Sequence, residues 1–198
     1  MIVWLSGAFG VGKSTAATAM AGMAGMAGTV AIFDPEEVGP LVTHVRPSAT
    51  GDFQDVPAWR RLVVAACAEL SEHAGGPLLV PMTLLRKGYA EEIFSGIHAL
   101  GLPLAHAVLH CQQTALIERI DGDLEDSPAV CEARRLWRHA HRDAYYAATP
   151  WLHRLGAPLV IDTTDLRPAE VARAVARWAG LPLDETNPLR HTRTESRI

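Results

Sequence analysis

Short apolar segments alternate with longer amphipathic segments along most of this chain. Gly, Pro or polar residues bound each apolar segment, which is typical of strands in a buried parallel sheet. The predicted strands are Ile2–Leu5, Thr29–Phe33, Leu78–Thr83, Leu104–Leu109 and a fifth strand with its exit, Leu159–Thr164.

Helices are predicted between these strands, because apolar residues recur there at helical spacing. One apolar face comprises Trp59, Leu62, Val63, Ala66 and Leu70, and that of the last helix comprises Val171, Val175 and Trp178. Strands and helices that alternate in this way predict a three-layer α/β domain with a parallel sheet and right-handed crossovers.

A phosphate-binding motif follows the first predicted strand. The P-loop, Gly7 to Ser14, reads Gly-Ala-Phe-Gly-Val-Gly-Lys-Ser and precedes an Ala-rich helix. Its backbone N–H groups can surround phosphate oxygens, Lys13 can reach the β- and γ-phosphates, and the Ser14 hydroxyl suits Mg²⁺. A Gly-rich turn with a chance Lys-Ser pair is the alternative, which the strand–loop–helix context disfavours. The predicted nucleotide site comprises Gly7, Ala8, Phe9, Gly10, Val11, Gly12, Lys13, Ser14, Thr15 and Arg119.

An acidic residue, Asp34, directly follows the second predicted strand. Ligands bind beyond the carboxyl ends of the strands in open parallel sheets, so Asp34 is predicted to lie beside the P-loop. It is interpreted as a general base or a water-mediated Mg²⁺ ligand, although it could also cap the helix that Pro35 begins. The third strand ends in Thr83 where many P-loop proteins place a Mg²⁺-binding Asp, which shifts metal and base duties onto Asp34. The predicted metal site is therefore Ser14 with Asp34.

Basic residues follow a segment interpreted as a mobile lid, Asp121 to Pro128. Arg134 and Arg135, in the helix beyond it, are predicted to clamp the transferring phosphoryl group. Salt bridges from these arginines to Glu125, Asp126 and Glu132 are the alternative.

Composition excludes some classes of function. A net charge of −4 gives no general attraction to nucleic acid. The segment between Lys13 and Asp34 carries no charge, but its repeated Met-Ala-Gly triplets disfavour a membrane-spanning helix. Residues 1–6 lack the basic region and cleavage site of a signal peptide, so a cytoplasmic location is expected.

The pattern resembles the small nucleoside-monophosphate-kinase-like P-loop kinases, which implies a five-stranded parallel sheet in the order 2-3-1-4-5. More narrowly, the sequence looks like the ATP-binding tunicamycin-resistance proteins. The blocks that carry this resemblance are Trp4–Gly10, Phe33–Glu36, Asp52–Gln54 with Pro57 and Trp59–Arg60, Val80–Thr83 and Leu181–Asp184. The resemblance implies binding of ATP with Mg²⁺ and phosphorylation of a uridine-containing nucleoside antibiotic, tunicamycin.

An acceptor site follows from this reading. Phe53 and Trp59 would offer flat apolar surface to a uracil ring, and Gln54 would bond its edge. The predicted substrate residues are Asp34, Phe53, Gln54, Trp59, Arg60, Met82, Thr83 and Tyr89.

Two other functions stay open: a protein that sequesters the drug in an ATP-dependent way, and a housekeeping small-molecule kinase. The predicted organisation is a kinase-like domain over residues 1–183 with a lid at about 121–135, and a polar tail over 184–198. We expect a monomer or a homodimer.

Overall fold

The structure is a computed structural model, and it describes residues 1–23, 28–123 and 127–182. Its strands are β1 (Ile2–Gly7), β2 (Ala31–Ile32), β3 (Leu78–Pro81), β4 (Leu104–His110) and β5 (Leu159–Asp162). Its α-helices are α1 (Lys13–Ala21), α2 (Val38–Val45), α3 (Pro57–Ala74), α4 (Lys87–Ala99), α5 (Gln113–Asp121), α6 (Pro128–Leu152) and α7 (Pro168–Trp178). Two short 3₁₀ turns span Pro35–Glu37 and Phe53–Asp55.

The strands form one sheet in the order β2-β3-β1-β4-β5, and every neighbouring pair is parallel. This confirms the predicted α/β class and the predicted strand order. Strand β1 is central, so its end and the ends of β3 and β4 lie at the same edge of the sheet. The P-loop begins at that edge, where parallel α/β sheets bind their ligands.

Two apolar cores lie on opposite faces of the sheet, because successive residues of β1 point to alternate sides. Val3 and Leu5 pack with α1 and α7. Ile2 and Trp4 pack with α3 and α4. All of these strand residues are fully buried. Apolar side chains therefore pack against β1 from both faces of the sheet, and β1 leads directly into the P-loop.

Some predicted details differ from the structure. Strand β2 is shorter than predicted, because it lies at the sheet edge and pairs only with β3. On the apolar face of α3 that was predicted to enter the core, Leu62 is 43% exposed and Leu70 38% exposed, since the buried side of α3 follows Trp59, Val63 and Cys67. Trp178 was also assigned to the core, but it is the last residue of α7 and is exposed.

The predicted domain boundaries stay predictions. The lid interpretation includes residues 124–126, and the tail interpretation covers residues 184–198; both ranges fall outside the described residues. No helix within the described ranges is both long and apolar enough to cross a lipid bilayer.

Candidate active site

The P-loop joins β1 to α1 in the predicted strand–loop–helix arrangement. Gly7 has φ 149°, and a Cβ atom there would lie 2.5 Å from the carbonyl oxygen of Leu109. Gly12 precedes α1 with φ 100°, in the left-handed region that favours glycine. Both glycines are therefore required by the backbone path of the loop, and the loop stays free of side chains where phosphate would approach.

Lys13 is folded back onto the loop. Its Nζ donates to the carbonyl oxygen of Ala8 at 2.9 Å and approaches that of Gly7 at 3.5 Å. Burial lowers the pKa of Lys13 to about 8; nearby Glu36 and Asp34 act in the opposite direction, and Arg138 adds to the lowering. The ammonium group thus lies in the P-loop without a carboxylate ion-pair partner in the described part of the chain, and an incoming phosphate would stabilise its charge.

A cleft of about 700 Å³ opens above the P-loop. This volume lies within the usual range for small-molecule sites. Of the predicted nucleotide residues, its wall includes Phe9, Gly10, Gly12, Lys13, Ser14, Thr15 and Arg119. Gly7, Ala8 and Val11 are buried beneath it and shape the loop from below.

Two carboxylates on one short turn line the same cleft. Asp34 caps the 3₁₀ turn, because its Oδ1 accepts from the backbone N–H of Glu36 at 2.9 Å. Its Oδ2 has no hydrogen-bond partner among the described residues. Asp34 therefore fits both of its predicted positions, as a cap and as a cleft residue.

Glu36 was not predicted as a site residue. Glu36 is exposed at the mouth of the cleft, yet partial desolvation by the cleft wall and the neighbouring Asp34 raise its pKa, while Lys13 and Arg138 lower it. The Asp-Pro-Glu spacing in the sequence could have indicated Glu36. An Asp that caps a short turn by bonding the N–H two positions later holds that residue beside itself, here at the cleft.

The arginines of α6 reach the cleft, though not in the predicted combination. Arg134 Nη1 lies 3.3 Å from Asp123 Oδ2, and Arg138 Nη1 pairs with the same oxygen. Both arginines line the cleft, since residues four apart share a helix face. Arg135 instead approaches the backbone carbonyl of Asp123 at 3.4 Å and Glu132 Oε2 at 3.6 Å. The structure thus brings Arg134 to the cleft and adds Arg138, whereas Arg135 lies outside the described cleft wall.

Arg119 connects the P-loop with the exit of β5. Its Nη1 donates to the carbonyl of Val11 at 3.2 Å and to Thr163 Oγ1 at 3.0 Å. Its Nη2 donates to the carbonyls of Thr163 at 2.5 Å and Thr164 at 3.1 Å. The guanidinium therefore holds the P-loop against the exit of β5 while it forms part of the cleft wall.

Three predicted acceptor residues are buried and belong to a hydrogen-bonded network that reaches the surface at Glu92. Arg60 Nε pairs with Glu92 Oε2 at 2.6 Å, and Arg60 Nη1 donates to the carbonyl of Gln54 at 2.5 Å. Gln54 Nε2 donates to the carbonyl of Thr83 at 3.1 Å. Thr83 Oγ1 in turn donates to the carbonyl of Gly7 at 2.8 Å. The scaffold network, as we call Glu92, Arg60, Gln54 and Thr83, thus connects α4 and α3 with the first residue of the P-loop.

Trp59 is fully buried, so it offers no surface to a ligand ring. Its Nε1 donates to the carbonyl of Pro35 at 3.0 Å, which holds the turn that carries Asp34 and Glu36. The prediction that Trp59 stacks on a base is therefore not supported by its position. Met82 is likewise buried in the core.

Phe53 and Tyr89 are half-buried. The Phe53 ring packs against Trp59 with centroids 5.1 Å apart. The Tyr89 hydroxyl donates to Asp55 Oδ1 at 2.9 Å, and the Arg60 guanidinium lies 4.1 Å from its ring centroid. Neither side chain lines the cleft in the described structure.

The site fits a nucleoside triphosphate with Mg²⁺. Among the described residues, no group of three or more His, Cys, Asp or Glu side chains could hold a metal ion by itself. The exposed Ser14 hydroxyl and the Asp34 carboxylate, both in the cleft, are hard oxygen donors. Such a set suits an ion that keeps waters and takes phosphate oxygens as its remaining ligands.

No protein-family model matches the chain, and no match was found among curated proteins. Solved structures do match. The tunicamycin resistance protein of Deinococcus radiodurans superposes with a TM-score of 0.64 and 28% identity, over 92% of this chain and 96% of that one. The predicted resemblance is confirmed.

Two kinases share the fold at lower identity. A gluconokinase from Sinorhizobium meliloti 1021 matches with a TM-score of 0.55 and 19% identity, covering 90% of this chain and 93% of that one. Shikimate kinase from Bacteroides thetaiotaomicron matches with a TM-score of 0.58 and 14% identity, covering 91% and 99%. The chain therefore has the fold of the small P-loop kinases.

Proposed function

We propose that this chain is an ATP-dependent phosphotransferase that modifies tunicamycin, a uridine-containing nucleoside antibiotic. One observation carries the chemistry: Asp34 and Glu36 lie in the same cleft as Lys13 and the arginines of α6. The likeness to a tunicamycin resistance protein supports the choice of acceptor. The kinase fold supports the class of reaction.

The P-loop binds the triphosphate of ATP. Its backbone N–H groups and the start of α1 surround the phosphates, and Lys13 turns from the carbonyls of Ala8 and Gly7 to the β- and γ-phosphates. Ser14 would hold Mg²⁺ directly and Asp34 would hold it through a water molecule, which keeps Asp34 Oδ2 free to accept a proton. The ion would neutralise charge on the phosphate oxygens.

Asp34 accepts the proton of the acceptor hydroxyl. The new bond forms between that hydroxyl oxygen and the γ-phosphorus as the bond from the β,γ-bridging oxygen to the γ-phosphorus breaks, and ADP leaves with the bond's electron pair. Asp34 Oδ2 can take this proton because Oδ1 already bonds the Glu36 N–H. Glu36 holds the acceptor beside Lys13, since phosphoryl transfer depends mainly on an oriented hydroxyl.

Arg134 and Arg138 stabilise charge on the transferring phosphoryl group. Both now bind the Asp123 carboxylate at the cleft wall. A phosphoryl group also offers several anionic oxygens to a guanidinium, so it would replace the Asp123 carboxylate. Arginines placed in this way act most strongly as charge redistributes in the transition state.

Mass spectrometry tests this proposal. Tunicamycin is incubated with the purified protein and Mg·ATP, with a Lys13→Ala variant as control, and the drug is then released by denaturation. We expect a phosphate adduct of the drug from wild type and unmodified drug from the variant. Unmodified drug that co-purifies with wild type would favour sequestration, and free unmodified drug would favour a different acceptor.

A further inference from the structure

An exposed indole lies on the wall of this polar cleft. Trp137 of α6 lines the cleft and is 47% exposed. Trp4 and Trp59, by contrast, are fully buried. A large aromatic side chain exposed inside a cleft rich in charge has no packing role on its open side, and aromatic rings in such positions commonly contact ligands.

Two other rings fix the orientation of Trp137. The His141 ring lies 4.1 Å from it between centroids, tilted by 33°, and the Phe9 ring lies 4.4 Å away at 69°. His141 is itself held, because its Nδ1 lies 2.7 Å from the backbone carbonyl of Trp137 and donates to it. We call Phe9, Trp137 and His141 the aromatic platform. A ring held in this way loses little conformational freedom when a ligand stacks on it.

The aromatic platform lies at the end of the cleft where phosphoryl transfer would occur. Phe9 belongs to the P-loop, and its ring centroid is 5.5 Å from Lys13 Nζ. Arg134 and Arg138 lie three residues before and one residue after Trp137 on α6, and both line the same cleft. Lys13 acts on the β- and γ-phosphates, so a ring beside it is placed for the acceptor rather than for the base of the donor nucleotide.

We propose that Trp137, supported by Phe9 and His141, stacks on the planar pyrimidine ring of the acceptor. This inference rests on the proposed function, because it takes the acceptor to be a uridine-containing nucleoside. It gives the acceptor ring the flat apolar surface that Trp59 cannot provide, since that side chain is buried.

Binding measurements with Trp137→Ala test the inference. The matched control is Trp178→Ala, because Trp178 is 41% exposed on α7 and lies outside the described cleft wall. Calorimetry would measure the affinities for uridine, tunicamycin and Mg·ATP. We expect Trp137→Ala to weaken uridine and tunicamycin about 10- to 100-fold, and Mg·ATP less than about threefold. Trp137→Phe should restore most of the loss, and Trp178→Ala should bind as wild type.

Other outcomes would overturn the inference. A Trp137→Ala protein that keeps its uridine affinity but loses affinity for Mg·ATP would assign the indole to the donor. Unchanged affinity of Trp137→Ala for all three ligands would exclude a binding role for Trp137. An absence of uridine and tunicamycin binding by wild type would exclude it as well. The phosphate-adduct assay separates this inference from the proposed function. Trp137-dependent uridine binding without an adduct contradicts only the chemistry, and an adduct with unchanged Trp137→Ala binding contradicts only the stacking.

Discussion

The P-loop and the Asp52–Arg60 segment both carry sequence blocks of the tunicamycin-resistance resemblance, but the structure uses them in opposite ways. The P-loop leaves its backbone and Lys13 facing a cleft. In the other segment, the side chains of Gln54 and Arg60 are buried and hydrogen-bonded within the protein, and Trp59 is buried as well.

A distinctive block of sequence can therefore support the cleft without lining it. Trp59 holds the carbonyl of Pro35, beside Asp34 and Glu36. Thr83, at the end of the scaffold network, holds the carbonyl of Gly7. Buried polar groups must be hydrogen-bonded, so such a network specifies one geometry of the loop above it. Substitutions around the P-loop should therefore alter turnover, and substitutions in the scaffold network should alter stability.

The largest expected effect is that of Lys13→Ala. It removes the charge directed at the β- and γ-phosphates, and turnover should fall on the order of 10²- to 10³-fold. Folding should survive, because Lys13 carries a charge that burial disfavours. Turnover and thermal unfolding would be measured on the same preparation. A folded Lys13→Ala protein with normal turnover and normal Mg·ATP affinity would contradict the nucleotide assignment.

Substitutions of the α6 arginines should lower turnover by different amounts, depending on the helix face that carries each arginine. Arg138→Ala should lower turnover by about 10²-fold with a smaller loss of ATP affinity, because the clamp acts mainly in the transition state. Arg135→Ala is the matched control, since Arg135 contacts the backbone carbonyl of Asp123 and the side-chain carboxylate of Glu132 instead. Steady-state kinetics with both variants would check this. Equal losses of turnover in the two variants would contradict the assignment of the phosphoryl clamp to the cleft-facing arginines.

Nucleotide binding should take up a proton above pH 8. Burial lowers the pKa of Lys13 to about 8 in the free protein, and bound phosphate should raise that pKa again. Neutral Lys13 must then gain a proton on binding, so affinity should fall by at most about tenfold per pH unit as pH rises above 8. Calorimetry in buffers of different ionisation enthalpy at pH near 9 would count the proton. Lys13→Arg is the control because arginine does not titrate there; the same uptake in both proteins would exclude Lys13 as its source.

The scaffold network should give the smallest effect on activity per folded molecule. Gln54→Ala leaves the carbonyl of Thr83 without its side-chain donor and should lower the free energy of unfolding by about 1–3 kcal/mol. Turnover and tunicamycin affinity of the folded fraction should change less than about threefold. Chemical denaturation would give the stability, and active-site titration would normalise turnover. A stable Gln54→Ala variant with strongly weakened tunicamycin binding would indicate that Gln54 contacts the acceptor directly.

The sequence predicted the fold and the strand–loop–helix setting of the P-loop well, because both depend on local rules. Apolar periodicity places strands and helices, and the P-loop carries its own geometry through Gly7 and Gly12. Asp34 follows from the general position of ligands at strand ends.

The remaining site residues depend on contacts between elements distant in sequence. Whether Trp59 or Trp137 is exposed depends on which helix face meets the sheet, and the two indoles are equally apolar in a sequence. Arg134, Arg135 and Arg138 are similarly indistinguishable until the direction of α6 over the P-loop is known, because one residue rotates the side chain by about 100°. Glu36 was not predicted as a site residue, because its position in the cleft depends on the turn that Asp34 caps.

Transfer of label from γ-labelled ATP to tunicamycin tests the central claim most directly. Wild-type protein with Mg²⁺ should transfer label to the drug. Asp34→Asn keeps the shape of the side chain and should retain much of the ATP affinity, but its transfer rate should fall on the order of 10²-fold or more. Tight binding of tunicamycin by wild type with no transfer of label at any Mg²⁺ concentration would contradict the account.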